Sequence, residues 1–272
     1  GDSAAVVLLA IDNGAGISNV VEALRDGYST AGSPGTGLGA MQRLATRFEM
    51  YSRPGAGTAV LARFERPGSK MAKREPPVPV GGLFVACAGE EECGDAIAIL
   101  RQSACTRLLV VDGLGHGLHA SEAAQAAVAA FHANPGGTLE DVLTAMHMAC
   151  RPTRGAVAAL AEIDPRACRV RYAGAGNISA AIVGLERDYN LVSHNGTLGH
   201  ELRKVQEFSY PWGPGAVLVM HSDGISRRWD FNEQPGLIAR DPDLIAAVLY
   251  RDFRRERDDA AVLVASAFHF RP

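Results

Sequence analysis

The stretch that most constrains this 272-residue chain is Leu108-Leu109-Val110-Val111-Asp112-Gly113-Leu114-Gly115-His116-Gly117. Four apolar, β-favouring residues run into an Asp-Gly step and a glycine-rich loop, which reads as a buried strand that presents an acid at its end. Glycine beside the acid lets the backbone approach whatever the carboxylate binds, so the Gly113 carbonyl can join the Asp112 oxygens on a hard cation. Taken alone, the same residues also suit an ordinary Asp-Gly hairpin turn.

Other stretches repeat the pattern. Val217-Leu218-Val219-Met220-His221-Ser222-Asp223-Gly224 is again an apolar run delivering Asp-Gly, and Arg257-Asp258-Asp259 places two acids just before the run Ala260 to Val264. Asp95 follows Gly94 at the start of a further apolar run. Each acid alone can serve turn chemistry. Several at apolar strand ends carry more weight, because converging carboxylates repel one another unless cations neutralise them. Oxygen donors without a His or Cys cluster point to Mg²⁺ or Mn²⁺ rather than zinc.

Apolar runs at 83–87, 95–100, 107–111, 156–163, 168–173, 178–183, 216–220 and 260–267 are spaced as strands. Helical periodicity is expected from Ala120 to Ala133, from Leu139 to Cys150 and from Pro242 to Phe253. Many antiparallel-type strands with a few helices imply an α+β fold, an α-β-β-α sandwich in which helices cover the outer faces of two sheets. Net charge is -3, without a basic footprint, which argues against nucleic-acid binding. No apolar run reaches the roughly 18 residues of a membrane span, and Gly1-Asp2-Ser3 lacks a signal peptide's basic start, so a soluble, cytoplasmic protein is expected. Five cysteines without a CxxC pair suggest reduced, mostly buried thiols.

The first 66 residues have a different grammar. An apolar strand over residues 4–11 ends at Asp12-Asn13-Gly14-Ala15-Gly16-Ile17, and a helix is expected from Asn19 to Arg25. Gly35-Thr36-Gly37-Leu38-Gly39 then opens a helix expected to reach Phe48, whose first amides suit phosphate. Strands at 50–52 and 58–64 flank the turn Pro54-Gly55-Ala56-Gly57. Residues 67–81, with four prolines and a small basic cluster, read as a linker, which leaves 82–272 as the larger domain.

The order DNGAGI, GTGLG, GAGT resembles the GHKL-type ATP-binding fold of histidine kinases, gyrase-type ATPases and anti-sigma-factor serine kinases. That resemblance implies that Asp12 reads adenine, that Gly14 and Gly16 shape the pocket, that Gly35, Gly37 and Gly39 close on phosphates, and that Thr58 lies near the base. In that family an Asn-bearing, Mg²⁺-holding helix precedes the DxGxG strand, and this sequence starts at the strand. A truncated, incomplete module that binds ATP weakly or not at all is expected, with a second copy of the chain, as a homodimer, one way to complete it.

The stretches GEEECGDA, VVDGLGHG, AGAGNISA, HSDGIS and RDDAAVLV resemble, in order and spacing, the SpoIIE-type branch of the metal-dependent (type 2C) serine/threonine protein phosphatases. The resemblance implies two Mn²⁺ or Mg²⁺ ions that activate a water for direct attack on phosphate. Asp112 would bridge them, Gly113 would lend its carbonyl, Asp223 and Asp258 would complete the second ion's ligands, and Asp95 would stand just outside. It also implies a phosphorylated STAS-type anti-sigma-factor antagonist as substrate, in bacterial partner switching. The alternative is a kinase-type or anti-sigma-type module that docks such a partner while the phosphatase fold is idle. His116 is a candidate to protonate the leaving oxygen, or a loop-shaping hydrogen bonder. Asn177, His221 and Asp259 are expected to serve local hydrogen bonding and packing, and Ala261 stands where that family usually has Thr.

Overall fold

The computed structural model describes residues 5–29, 34–65 and 78–267. Residues 66–77, most of the expected linker, lie outside the described residues. The linker's last residues do not: Val78 is buried and β4 (Val80–Val85) already begins within the expected stretch.

Two five-stranded antiparallel sheets form the sandwich. One contains β5 (Asp95–Arg101), β6 (Thr106–Gly113), β7 (Ala156–Asp164), β8 (Arg169–Ala175) and β11 (Phe208–Pro211), in the order β11-β8-β7-β6-β5. The other contains β4, β9 (Ser179–Val183), β10 (Tyr189–Asn190), β12 (Val217–His221) and β13 (Ala260–Ser266), in the order β10-β9-β12-β13-β4. The short β10 and β11 carry too few apolar residues to show in the sequence pattern.

Strand β6 explains its own composition. Side chains alternate across a strand, and here Leu108 and Val110 enter the core between the sheets while Leu109 and Val111 face α3 (Leu118–Ala133) and α4 (Leu139–Cys150). With both faces covered, an unbroken apolar run is what the strand requires. Helix α4 starts at a capping box in which Thr138 and Asp141 satisfy each other's backbone amides. On the opposite sheet α5 (Pro242–Phe253) is capped by Asp241 and buries Leu244, Ile245 and Val248 against Val217, Val219, Val262 and Val264.

A further layer lies on α5. The N-terminal segment forms β1 (Ala5–Asp12), α1 (Val20–Ala23), α2 (Gly37–Leu44), β2 (Arg47–Ser52) and β3 (Thr58–Glu65), with sheet order β1-β3-β2. Tyr51, Ala59 and Leu61 join the same apolar cluster as α5. Polar contacts close over the helix start: Arg47 pairs with Asp241 at 3.1 Å, Arg63 with Asp243 at 3.1 Å, and the Asp241 amide donates to Glu49 at 2.9 Å. Asp243 also accepts from the Gly82 amide at 3.0 Å, so one carboxylate ties the N-terminal sheet, α5 and β4 together. The expected helix from Leu38 to Phe48 ends at Leu44, and Phe48 lies in β2 instead. Leu44 is 76% exposed and Phe48 pairs with Ala62 of β3, so sheet pairing wins over helical periodicity there. Strand β1, although apolar, is an edge strand with Val6 62% exposed.

Leu61→Ala should cost about 2–5 kcal/mol, because Leu61 is fully buried, whereas Val6→Ala should change stability by less than about 0.5 kcal/mol. Urea unfolding followed by tryptophan fluorescence checks this, since Trp229 packs in the same cluster as Leu61. An unchanged midpoint for Leu61→Ala would mean that the N-terminal sheet does not stabilise the sandwich.

Candidate active site

The two sheets bring the acids together at one end of the sandwich. Asp95 and Asp112 are direct partners across the β5–β6 ladder, so their side chains leave the sheet on the same face. Asp223 follows β12 by two residues, and Asp258 precedes β13 by two. Asp112, Asp223 and Asp258 line a cleft of about 710 Å³ together with Asn177, Asn195, His116 and Arg227. Each expected phosphatase acid is therefore at or beside one site.

The glycines of the two Asp-Gly steps have a steric role. A Cβ on Gly113 would come within 2.1 Å of the Ala120 carbonyl oxygen, and one on Gly224 within 1.8 Å of the Asp259 carbonyl oxygen. These steps therefore fit where backbone meets backbone, which lets the first turn of α3 and the start of β13 close on the acids.

Repulsion and burial dominate the site's electrostatics. Burial, reinforced by Asp223, Asp258 and Asp259, pushes Asp95 up to about 7 even though the Ser222 hydroxyl donates to it. Burial together with Asp95 and Asp223 pushes Asp112 up to about 8. Asp258 is raised by burial and by Asp223 beside it. Among the described residues no three Asp, Glu, His or Cys side chains form a ready-made cage for one ion. The donor set nonetheless fits a hard cation: all oxygen, excess negative charge at an open cleft, and room for the waters that Mg²⁺ keeps.

Three expectations need correction. Asp259 is not a local hydrogen bonder: its carboxylate accepts from the Cys87 amide at 2.7 Å and the Gly94 amide at 2.8 Å, fixing both ends of the segment that leads into Asp95. Asn177 does more than satisfy its turn, because its side-chain amide donates to Asp223 at 2.9 Å. The thiols are not mostly buried: Cys150 is, Cys87, Cys93 and Cys105 are half-buried, and Cys168 is exposed in a turn at φ 50°. Burial pushes Cys93 up to about 12 and Cys150 up to about 11, which keeps these thiols protonated.

His116 is 61% exposed on its side chain and its Nδ1 lies 2.6 Å from Glu90, a partner not singled out from the sequence. His221 is buried, bonded to the Ser222 carbonyl and accepting at Nε2 from the Trp229 indole at 3.1 Å, and burial lowers it to about 4. Ser222 accepts from the Ala261 amide at 2.9 Å while donating to Asp95, so a hydroxyl is present beside Ala261. Ser222 and Arg227 were not anticipated; their proximity to Asp223 in sequence was the available signal.

The nucleotide-type residues are only partly gathered. Gly16, Gly35 and Gly37 line a cavity of about 310 Å³ with Asn19 and Tyr28. Asp12, Gly14, Gly39 and Thr58 are outside that lining. Asp12 accepts from the Gly14 amide at 2.7 Å, and Thr58, its partner across the ladder, bonds the Ser52 hydroxyl at 2.9 Å.

Solved structures that share this architecture include PP2C phosphatase domains. A chain from work on the bacterial stressosome, described as a modular system adapted to control secondary messenger signaling, is 30% identical with a TM-score of 0.65, over 69% of this chain and 98% of that one. The PP2C phosphatase domain, with a fragment of the regulatory domain, of SpoIIE from Bacillus subtilis has a TM-score of 0.59 at 16% identity, over 80% of this chain and 69% of that one. Residues 102–268 match the family described as Stage II sporulation protein E (SpoIIE), and the chain belongs to that family. In the N-terminal region, 55 residues are 38% identical to the serine/threonine-protein kinase RsbT of Bacillus subtilis (strain 168), which is 20% of this chain. The chain spans 41% of the length of that kinase.

The raised acids give a pH prediction. A carboxylate with a folded pKa above its unfolded value of about 4 stabilises the fold fully only below that value and loses the contribution as pH rises. Asp95 and Asp112 therefore lose theirs up to about 7 and about 8. His221, lowered from 6.5 to about 4, has the opposite slope, but only below 6.5. In chelator, stability should fall from pH 6.5 to about 8, and excess Mn²⁺ should flatten the fall. Thermal unfolding at a series of pH values measures it; stability that rises through this window in chelator would contradict the electrostatics.

Proposed function

We propose that this chain is a metal-dependent phosphoserine/phosphothreonine protein phosphatase whose substrate is a phosphorylated STAS-type anti-sigma-factor antagonist in a bacterial partner-switching pathway. The observation that carries the reading is the opposed pair Asp95 and Asp112, with Asp223 and Asp258 at the same cleft. Asp112 and the Gly113 carbonyl would hold one Mg²⁺ or Mn²⁺, and Asp112, Asp223 and Asp258 the other. Such ions, when bound, supply Lewis acidity toward phosphate and lower the pKa of water.

The chain's own residues do the positioning. Asn177 fixes one oxygen of Asp223, whose carboxylate also meets Asp258 in a side-chain hydrogen bond. Ser222 orients Asp95, and Asp259 holds the 87–94 segment so that Asp95 stays opposite Asp112. His116, held at Nδ1 by Glu90, offers Nε2 as a proton donor to a leaving serine or threonine oxygen. A cytoplasmic setting follows from such a substrate, and no described helix is long and apolar enough to cross a membrane.

Residues 1–66 are read as part of a GHKL-type module, with 82–272 as the phosphatase domain. The gathered Gly16, Gly35 and Gly37 without Asp12 or Thr58 favour partner docking over nucleotide chemistry. A second reading, in which the RsbT-like segment docks the STAS partner and the phosphatase fold is idle, draws on the likeness to RsbT.

Hydrolysis of p-nitrophenyl phosphate and of a phosphoserine protein should require Mn²⁺ or Mg²⁺ and stop in EDTA. Asp112→Asn should lower kcat by at least about 100-fold, because even residues that merely orient metal ligands commonly cost 10–100-fold. Full turnover in chelator would exclude the reading, and no turnover at any metal concentration would favour the idle fold. Calorimetry should find Mg-ATP binding weaker than about 100 μM; a low-micromolar constant would return the nucleotide reading to the N-terminal module.

A further inference from the structure

The floor of the cleft is acidic, yet its lining includes one guanidinium, that of Arg227. Arg227 forms no ion pair with a carboxylate among the described residues, although Asp223 lies four positions away in sequence. Asn177 stands between them. Its side-chain amide takes an Asp223 oxygen at 2.9 Å, and its backbone carbonyl accepts from Arg227 Nη2 at 3.0 Å. The guanidinium is thus anchored through one of its five N–H groups and keeps its charge available to the cleft.

A guanidinium that only neutralised the acids would bond them directly, since a bidentate carboxylate pair is its strongest contact. The relay through Asn177 instead leaves a positive fork at the mouth of a cleft whose floor is matched to cations. An anion that fits both features carries several oxygens on one centre. From this arrangement we infer that Arg227 binds the phosphoryl oxygens of the substrate, and afterwards those of the product phosphate. The inference rests on the phosphatase reading and adds to it the residue that recognises the phosphate group. It also explains Arg at this position: a lysine ammonium is a compact point charge and cannot bond the Asn177 carbonyl and a phosphate with one rigid plane.

The test uses the full chain with Mn²⁺, p-nitrophenyl phosphate as substrate and inorganic phosphate as inhibitor. Arg227→Gln keeps a donor for the Asn177 carbonyl and removes the charge; Arg227→Lys keeps charge without the fork; Arg228→Ala serves as the exposed neighbour. Arg227→Gln should raise both KM and the phosphate inhibition constant by about 10-fold or more, the size expected for a lost charge-assisted hydrogen bond. Arg227→Lys should recover part of each, and Arg228→Ala should change neither by more than about twofold. Phosphate binding to the Mn²⁺-loaded protein by calorimetry should weaken in parallel, while the Mn²⁺ half-saturation stays where it was.

Unchanged KM and phosphate affinity in Arg227→Gln, alongside an active parent protein, would overturn the inference and leave the phosphatase reading intact. A shift in Mn²⁺ demand without a change in phosphate binding would also overturn it, because Arg227 would then act only through Asn177 on Asp223. A parent protein without metal-dependent turnover would remove the phosphatase reading and this inference with it.

Discussion

Mutual repulsion among carboxylates is the constraint on which the rest of the structure depends. Asp95 and Asp112 face each other across two adjacent strands, with Asp223 and Asp258 close by, and no arrangement of uncharged protein alone makes that comfortable. The fold tolerates the cluster because the surrounding sandwich is rigid. Strand β6 is apolar and buried on both faces, and it lies between β7 and the edge strand β5 that carries Asp95. The backbones of Asp95 and Asp112 are kept opposite each other by the β5–β6 register, since a one-residue slip would turn every core side chain of the slipped strand to the wrong face.

A second set of contacts stabilises the site indirectly. Asp259, Ser222 and Asn177 each use a short polar group to hold a segment that carries an acid, and the bonds of Asp259 to the Cys87 and Gly94 amides and of Ser222 to Asp95 each span more than a hundred residues of sequence. Buried hydrogen-bonded groups of this kind are costly to leave half-made, so they define one geometry at the cleft and not a range of them. On the far face of the same sheet, α5 is enclosed between the β12–β13 strands and the N-terminal sheet, with Asp241 and Asp243 each serving both the helix start and an arginine from outside. The N-terminal segment is therefore part of the packing of the sandwich, with β1 as its exposed edge.

Arg53 of the β2–β3 turn donates to the Glu233 carbonyl, in the segment that also carries Trp229 and Phe231. Trp229 is in edge contact with Phe231 and bonds His221, and His221 adjoins Ser222 and so Asp95. A continuous set of contacts thus connects the N-terminal sheet with the acidic cleft. The contacts give the two halves a shared physical basis; they are built from packed rings and hydrogen bonds, groups with little freedom to move independently.

The sequence by itself determined the sandwich and the bounds of α4 and α5, and its apolar runs with Asp-Gly steps put Asp112 and Asp223 at or just past strand ends. Those features are written in local spacing, which strand and helix periods read directly. Only the tertiary structure decided what Asp259, Asn177, Ser222 and Arg227 touch, because their partners lie on other strands and hydrogen bonding between distant segments leaves no periodic trace. It also decided that β1 is an exposed edge and that the second helix stops at Leu44. An apolar residue is equally apolar at an edge or in a core, and whether Phe48 belongs to a helix or a strand depended on Ala62 of β3 being there to pair with it.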